Sequence, residues 1–186
     1  SDIYPVIWFL NHLHTASNMA TYKLIGLLLF LAWFNPIMIK AQQWGGSAYI
    51  SEQAVAQAFP LFAQGRIAPI VASKQDFKGV ERAIQGLQSD LNKVTQANTP
   101  ILYDQLPKGA KSIVLIGNLG KHPLIDQQEK NKKLNCSDLP GKWETFSIQT
   151  INKPFSNIDQ ALVIVGSDKR GTIFGAYDVS AQIGVS

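Results

Sequence analysis

The segment Gly166–Thr172 (Gly-Ser-Asp-Lys-Arg-Gly-Thr) has the residue types and spacing that best suit a binding site. It follows an apolar run typical of a buried strand and precedes a helical pattern, which is where a phosphate-binding loop would lie. Such a loop needs a lysine directly after its second glycine, whereas Thr172 follows Gly171 here. We therefore favour a helix start whose free backbone amides bond to Ser167 or Asp168.

Asp168, Lys169 and Arg170 are the candidate site residues within this segment. Loops at the ends of strands commonly carry binding groups, and an arginine can hold a carboxylate through two parallel hydrogen bonds. Lys169 or Arg170 is therefore a candidate ligand for an acidic substrate. The favoured alternative is structural, with Asp168 capping the helix and Arg170 forming an ion pair across a domain interface.

The acidic residues form no recognisable catalytic pair. Cleavage of a glycosidic bond usually needs two carboxyl groups that face each other across the bond. Glu144 lies in a predicted strand, while Asp168 and Asp178 flank the predicted last helix, so none stands in a motif for acid or base catalysis. We expect these carboxylates to be helix caps or surface charges, and we assign no catalytic residue.

Histidine and cysteine are too sparse for nucleophilic or metal chemistry. Cys136 is the single cysteine, so no intrachain disulfide exists, and His122 is the single histidine after residue 41. These two residues do not supply the nucleophile, base and orienting group that covalent catalysis requires. His12 and His14 lack a further ligand nearby in the sequence. We therefore predict neither a metal nor a cofactor.

The charge distribution argues against nucleic acid as a partner. The chain has 17 basic and 13 acidic residues, a net charge of +4, but the basic residues are scattered and are not interleaved with aromatics. Lys130, Lys132 and Lys133 form the only cluster, which a solvated helix face explains. With 186 residues, of which 46% are hydrophobic, the chain can bury one core.

Apolar periodicity predicts a single α/β domain with a mixed sheet flanked by helices. From Phe77 to Gln96 apolar residues recur at three- and four-residue steps, the pattern of an amphipathic helix, and Asp76 is placed to cap it. Strands are predicted at 68–72, 101–103, 111–116, 143–151 and 161–165, a weaker helix at 122–134, and a final helix through Ile173, Phe174, Tyr177 and Ala181. The last two strands follow one another closely, so we expect the sheet to be mixed.

The first 41 residues have the layout of an export signal preceded by extra residues. Met19 and Lys23 give a short positive start, the 11 residues from Leu24 to Phe34 are unbroken apolar sequence, and Ala41 offers a small residue for cleavage. A permanent anchor would need about 20 apolar residues. We therefore expect residues 1–18 to be non-native upstream translation, 19–41 a signal peptide, and 42–186 a domain that is secreted or periplasmic. It would meet a membrane only during export.

Four stretches resemble the N-terminal domain of glycoside hydrolase family 115, which contains the xylan α-glucuronidases. They are Ala68-Pro-Ile-Val, the helical segment from Gly79 to Thr95, Gly141-Lys-Trp-Glu-Thr-Phe146, and the run from Val163 to Ser186. They follow in the family's order, and the run from Gly166 to Gly175 is the most specific. One departure is Ala181, where the family often has glutamate, so any role of that carboxylate in a pocket or domain contact is not carried over.

This resemblance implies an accessory α/β domain that precedes a catalytic (β/α)8 barrel, and the barrel is absent from this chain. The full-length enzyme would remove glucuronic acid or 4-O-methylglucuronic acid from xylan with inversion, using a general acid and a general base in the barrel. Its partner would be glucuronoxylan or a related polysaccharide, and the fragment itself would be inactive. The oligomeric state stays open. The alternative function is that of a non-catalytic carbohydrate-binding or scaffolding module.

Overall fold

The computed structural model describes residues 48–53, 55–56 and 58–185, all of which belong to one compact unit. The expected signal peptide at 19–41, the expected upstream segment at 1–18, and His12 and His14 lie outside the described residues. Among the residues that are described, no helix combines the length and the apolar character that crossing a bilayer requires.

A five-stranded mixed sheet organises the domain, as the sequence predicted. It is built from β3 (Ile70–Ala72), β4 (Ile101–Tyr103), β5 (Ser112–Asn118), β6 (Phe146–Phe155) and β7 (Ile158–Gly166), in the spatial order β4-β3-β5-β7-β6. All neighbours pair in parallel except β6, which runs antiparallel to β7 at the edge of the sheet. A small separate ribbon of β1 (Phe62–Ala63) and β2 (Arg66–Ile67) precedes it.

Helices cover both faces of the sheet, so the central strands are apolar without interruption. The helices α1 (Lys78–Thr95) and α3 (Lys169–Gln182) lie on one face, where they pack on Val114 and Ile116. The helix α2 (Pro123–Lys130) and the segment that follows it lie on the other face, against Ile113 and Leu115. Successive residues of β5 thus enter two different cores, which makes the domain a three-layer sandwich.

The helix α1 confirms the predicted amphipathic stripe. Val80, Ala83, Ile84, Leu87 and Leu91 are buried, while Val94 at its last turn is exposed. Truncating one of the buried leucines to alanine would cost about 2–5 kcal/mol, the usual range for such core changes.

Asp76 does not cap α1 as predicted, because the helix begins one residue later than expected. Phe77 is the N-cap residue and has no capping side chain. The Asp76 carboxylate instead accepts hydrogen bonds from Phe77 N and from Asn118 N, both at 2.8 Å. It therefore joins the start of α1 to the end of β5.

Several other boundaries differ from the prediction for identifiable backbone reasons. Glu144 was placed in a strand, but it has a left-handed backbone with φ of 55°, and β6 begins only at Phe146. The helix predicted to reach Leu134 ends at Lys130. Asp178 lies inside α3 rather than beside it.

The order of the strands places a topological switch point between β3 and β5. The chain passes from β3 through α1 to β4 on one side, and β5 and β7 then lie on the other side. Ligands of open α/β sheets bind in the crevice outside the carboxyl ends of the strands at such a point. The residues that follow Ala72, Asn118 and Gly166 are therefore where a site is expected.

Candidate functional site

Asp168 lies two residues after β7 and caps α3, which confirms the capping role predicted for its side chain. Its Oδ1 accepts a hydrogen bond from Gly171 N at 2.7 Å, and its Oδ2 accepts one from Glu144 N at 3.0 Å. The amides of Glu144 and Gly171 are the main cause of the lowered pKa of this carboxyl. Asp168 is therefore an ionised carboxylate whose oxygens are both engaged.

Ser167 does not cap the helix but ties the loop before β6 to the end of β7. Its backbone N donates to Thr145 O at 2.8 Å, and its hydroxyl donates to the same oxygen at 3.0 Å. No side chain fits at position 171, because a Cβ added to Gly171 would collide with the Thr145 carbonyl. Glycine at position 171 is thus required by close approach of the loop.

Arg170 forms an ion pair within the domain. Its Nη1 lies 2.9 Å from Glu144 Oε1, and its guanidinium lies 5.8 Å from the centre of the Phe174 ring. The Arg170 side chain remains 63% exposed, so the pair is worth at most about 1 kcal/mol. Exposed donors of the guanidinium remain free to meet another group.

Lys169 does not join this cluster, although it stands between Asp168 and Arg170 in the sequence. Its side chain instead lies against the first turn of α1 near Gly79, so close that a Cβ added to Gly79 would be 3.6 Å from Lys169 Cδ. The structure thus brings together Asp168, Arg170 and Glu144 and separates Lys169 from them.

Asn118, which sequence reasoning did not assign, is the buried link between β5 and α3. In the amide orientation that satisfies its neighbours, it donates to Asp168 O at 3.1 Å and to Thr172 Oγ1 at 2.6 Å, and it accepts from Lys169 N at 3.1 Å. The sequence did contain a signal for Asn118, because it is a polar residue at the end of a predicted strand, and such residues lie at the carboxyl end of the sheet.

His122 is buried beside this link and is a neutral base without access to solvent. Its Nε2 lies 3.2 Å from Val71 O, so Nε2 carries the proton, and Nδ1 has no partner among the described residues. Burial lowers the pKa of His122, and the nearby carboxylate of Asp76 opposes that effect only partly.

Nucleophilic and metal chemistry find no support in the part of the chain that the structure describes. Cys136 is buried, and burial raises the pKa of its thiol to about 11, so it is not a thiolate near neutral pH. Over the described residues no three His, Cys, Asp or Glu side chains are grouped as metal ligands. The arrangement around Asp168 can orient a helix and present a guanidinium.

Comparison with solved structures finds a likeness to a family GH115 4-O-methyl-alpha-glucuronidase with specificity for decorated arabinogalactans. The two chains are 25% identical over the match, with a TM-score of 0.50, and the match covers 64% of this chain. It covers 14% of that enzyme's chain, so the likeness concerns one domain of a much longer protein. No protein-family model matches this chain, and no curated protein matches it.

This likeness agrees with the resemblance of sequence at the level of the fold. The α/β domain with a mixed sheet flanked by helices is confirmed, and its fold is similar to part of a family 115 enzyme. The similarity points to a domain related to glycoside hydrolases.

Proposed function

We propose that this domain is an accessory domain of an exported α-glucuronidase that removes glucuronic acid or its 4-O-methyl derivative from xylan or a related polysaccharide. The observation that carries the proposal is the likeness to one domain of a family GH115 enzyme, at 25% identity over 64% of this chain. The match to 14% of that enzyme is what an accessory domain of a long protein would give. Catalysis would belong to a separate barrel domain.

The outer face of α3 (Arg170, Phe174, Tyr177 and Ala181) supports a role in contact between domains. The residues that α3 buries against the sheet are small: Gly171, Thr172, Gly175, Ala176, Val179 and Ser180. The residues it exposes include large aromatics, since Phe174 is 39% and Tyr177 57% exposed. This distribution is the reverse of an ordinary surface helix, and a second protein surface would give these aromatics a place to be buried.

Tyr49, near the start of the described residues, contacts the C-terminal half of α3. The Tyr49 hydroxyl donates to Asp178 Oδ2 at 2.7 Å, and Tyr49 N donates to Gln182 Oε1 at 3.3 Å. In our proposal Asp168 fixes the first turn of α3, and Arg170 meets the catalytic barrel together with the aromatic pair.

A carbohydrate-binding module is the second candidate, and one observation favours it. Trp143 is 85% exposed, and it precedes Glu144, the partner of Arg170. Exposed tryptophan offers a flat apolar surface with a polar edge. Replacing Trp143 with alanine would weaken retention of the domain on insoluble xylan if the module function holds, and would leave retention unchanged under our proposal.

The test of the proposed function is an assay of the protein in its full natural length. We expect release of glucuronic acid or 4-O-methylglucuronic acid from glucuronoxylan or from decorated arabinogalactan. A folded protein that releases neither acid from either polysaccharide contradicts the proposal.

The role of Arg170 is tested in the same full-length protein. Arg170→Ala should lower the melting temperature and leave the Michaelis constant near its original value, because the residue stabilises a contact between domains. Lys142→Ala is a matched control, since Lys142 Nζ forms an exposed ion pair with Asp138 Oδ1, at 3.5 Å, that involves no residue of α3. A large rise in the Michaelis constant at an unchanged melting temperature would make Arg170 a substrate ligand instead.

A further inference from the structure

A shallow pocket lies at the opposite end of the sheet from Asp168. It has a volume of about 460 Å³ and is lined by Lys133, Lys153, Pro154, Phe155, Ser156 and Asp159. It sits beside the β6–β7 turn, whereas Asp168 follows the other end of β7. The nine residues of β7 separate the two places by roughly 25 Å at the usual rise of a strand, so the pocket is independent of the candidate site.

An irregularity in the sheet forms one wall of this pocket. The pairing of β6 with β7 is regular as far as Asn152↔Gln160 and resumes at Phe155↔Ile158, so Lys153 and Pro154 stand opposite Asp159 alone. This is a β-bulge, a feature that re-aims side chains and is common beside binding sites. Lys153 has a left-handed backbone with φ of 46°, a conformation that is costly for residues other than glycine and concentrates at functional sites.

The segment after α2 forms the other wall of the pocket and is hydrogen-bonded to the bulge through Lys133. Lys133 Nζ donates to Lys153 O at 2.6 Å. An ammonium group has three donors, so two of them remain for a ligand. The lysine cluster at 130–133 was expected to be a solvated helix face, but α2 ends at Lys130 and Lys133 lies beyond it.

The lining combines positive charge with an aromatic surface. Lys133 and Lys153 supply two ammonium groups, and the Asp159 carboxylate is offset by Lys111 Nζ at 3.9 Å. Phe155 is only partly buried against the core under α2. A ligand that complements these groups carries an anionic group for the two lysines and an apolar face for Phe155. The volume lies within the range of small-molecule sites, about 300–1,000 Å³.

We infer that this pocket binds a uronate, a pyranose ring that bears a carboxylate. The choice of a sugar acid rests on the proposed function, whereas the preference for an anion with an apolar face follows from the lining residues. The pocket would hold an acidic side group of the polysaccharide away from the catalytic centre.

The experiment is a titration of the full ¹⁵N-labelled chain followed by amide chemical shifts. D-glucuronate, D-glucose and acetate are the three probes, because they separate the ring from the carboxylate. We expect glucuronate to shift the amides of 133, 153, 155, 156 and 159 with a dissociation constant in the millimolar range. Glucose and acetate should bind at least tenfold more weakly. Equal binding of acetate, or no glucuronate shift at these residues, overturns the inference.

Variants locate the binding within the pocket. Lys153→Asn removes the ammonium group while keeping a residue that tolerates the left-handed backbone, and it should weaken glucuronate binding at least fivefold. Lys130→Met is the matched control, because it removes an exposed charge nearby that does not line the pocket, and it should leave binding unchanged. Equal loss in both variants would also overturn the inference, since it would show general attraction to positive charge.

The outcome is distinguishable from that of the proposed function. Glucuronate binding by this chain, combined with no uronate release by the full-length protein, would keep the pocket and reject the enzyme. The opposite combination would reject only the pocket.

Discussion

At the scale of single residues, two aspartates perform the same task at the carboxyl end of the sheet, one after β3 and one after β7. Asp168 joins the loop at Glu144 to the start of α3, and Asp76 joins the start of α1 to the end of β5. In each case one carboxylate accepts backbone amides from two segments that are distant in sequence. Because ionised acceptors make the stronger hydrogen bonds, these two residues hold the carboxyl end of the sheet in register with its helices.

Replacing Asp168 with alanine should destabilise the domain. The change removes the cap of α3 and the bond to Glu144 N, and loss of an N-cap alone costs about 0.5–2 kcal/mol. Asp168→Asn is the control, because asparagine keeps an acceptor oxygen for Gly171 N and should recover the part of the stability that the cap provides. Urea unfolding at pH 7 measures both variants. Equal destabilisation by alanine and asparagine would show that the carboxylate charge, not the cap, provides the effect.

The same residue predicts how stability responds to acid. The pKa of Asp168 is lowered in the folded state, so the unfolded chain takes up a proton at a higher pH than the folded chain does. Its contribution is present above the unfolded pKa and is lost as the pH falls through the folded pKa. In urea titrations between pH 5 and pH 2, wild type should lose more stability than Asp168→Asn, and parallel curves would contradict the assignment.

His122 predicts a second pH dependence, in a higher window. Burial lowers its pKa below the usual value of about 6.5. As the pH falls below 6.5 the unfolded chain becomes protonated while the folded chain stays neutral, so the free energy of unfolding should decrease. His122→Gln keeps a donor for Val71 O but does not titrate, and its stability should change less between pH 7.5 and pH 5.5. An identical slope in both proteins would assign the pH dependence to other groups.

At the scale of elements, sequence patterns predicted α1 far better than the loops. The apolar residues from Val80 to Leu91 recur with the period of a helix, and this spacing identifies the face of α1 that is buried. The start of β6 was misplaced because Glu144 adopts a left-handed backbone, which a pattern of apolar residues does not reveal. Asn118 was missed for a similar reason, since its partners in α3 are brought close only by the fold.

Two glycines in helices should respond in opposite directions to alanine. Gly86 lies within α1 with no atom within 4 Å of an added Cβ, so Gly86→Ala should stabilise the domain by about 0.5–1 kcal/mol. Gly171 lies in the first turn of α3, where the added Cβ would meet the Thr145 carbonyl. Gly171→Ala should therefore destabilise it, by more than Gly86→Ala stabilises it. Thermal unfolding of both variants measures the difference, and a neutral Gly171→Ala would show that the loop at Thr145 can move away.

At the scale of the whole molecule, two features of the domain agree with the proposed accessory role. The Asp168 carboxylate in its candidate site accepts hydrogen bonds from the domain's own backbone, and the aromatic side chains of Phe174 and Tyr177 on its last helix are exposed. These properties suit the accessory role proposed above, that of a domain that orients another one.

The chain alone should therefore have no hydrolase activity. A pair of carboxylates facing one another across a glycosidic bond is required for that reaction, and Asp168 is held by backbone amides. Incubating the purified chain with glucuronoxylan and measuring free uronic acid provides the test. Release that increases in proportion to the amount of protein would contradict the prediction.

The proposed export predicts a defined start for the mature protein. We propose that cleavage before Gln42, within a few residues, creates the new N-terminus, because Ala41 offers the small residue that such cleavage requires. N-terminal sequencing of exported protein decides the matter. A product that still contains Leu24–Phe34 would indicate a membrane anchor.

The bulge in β6 also affects how the protein behaves when it is concentrated. β6 is the outermost strand on its side of the sheet and is ten residues long, and a long free edge is a template on which a second molecule can add a strand. Lys153 and Pro154 interrupt that edge, one with a charge and a left-handed backbone and the other with no amide hydrogen to donate. Edge-to-edge aggregation is therefore opposed at the same two residues that shape the pocket.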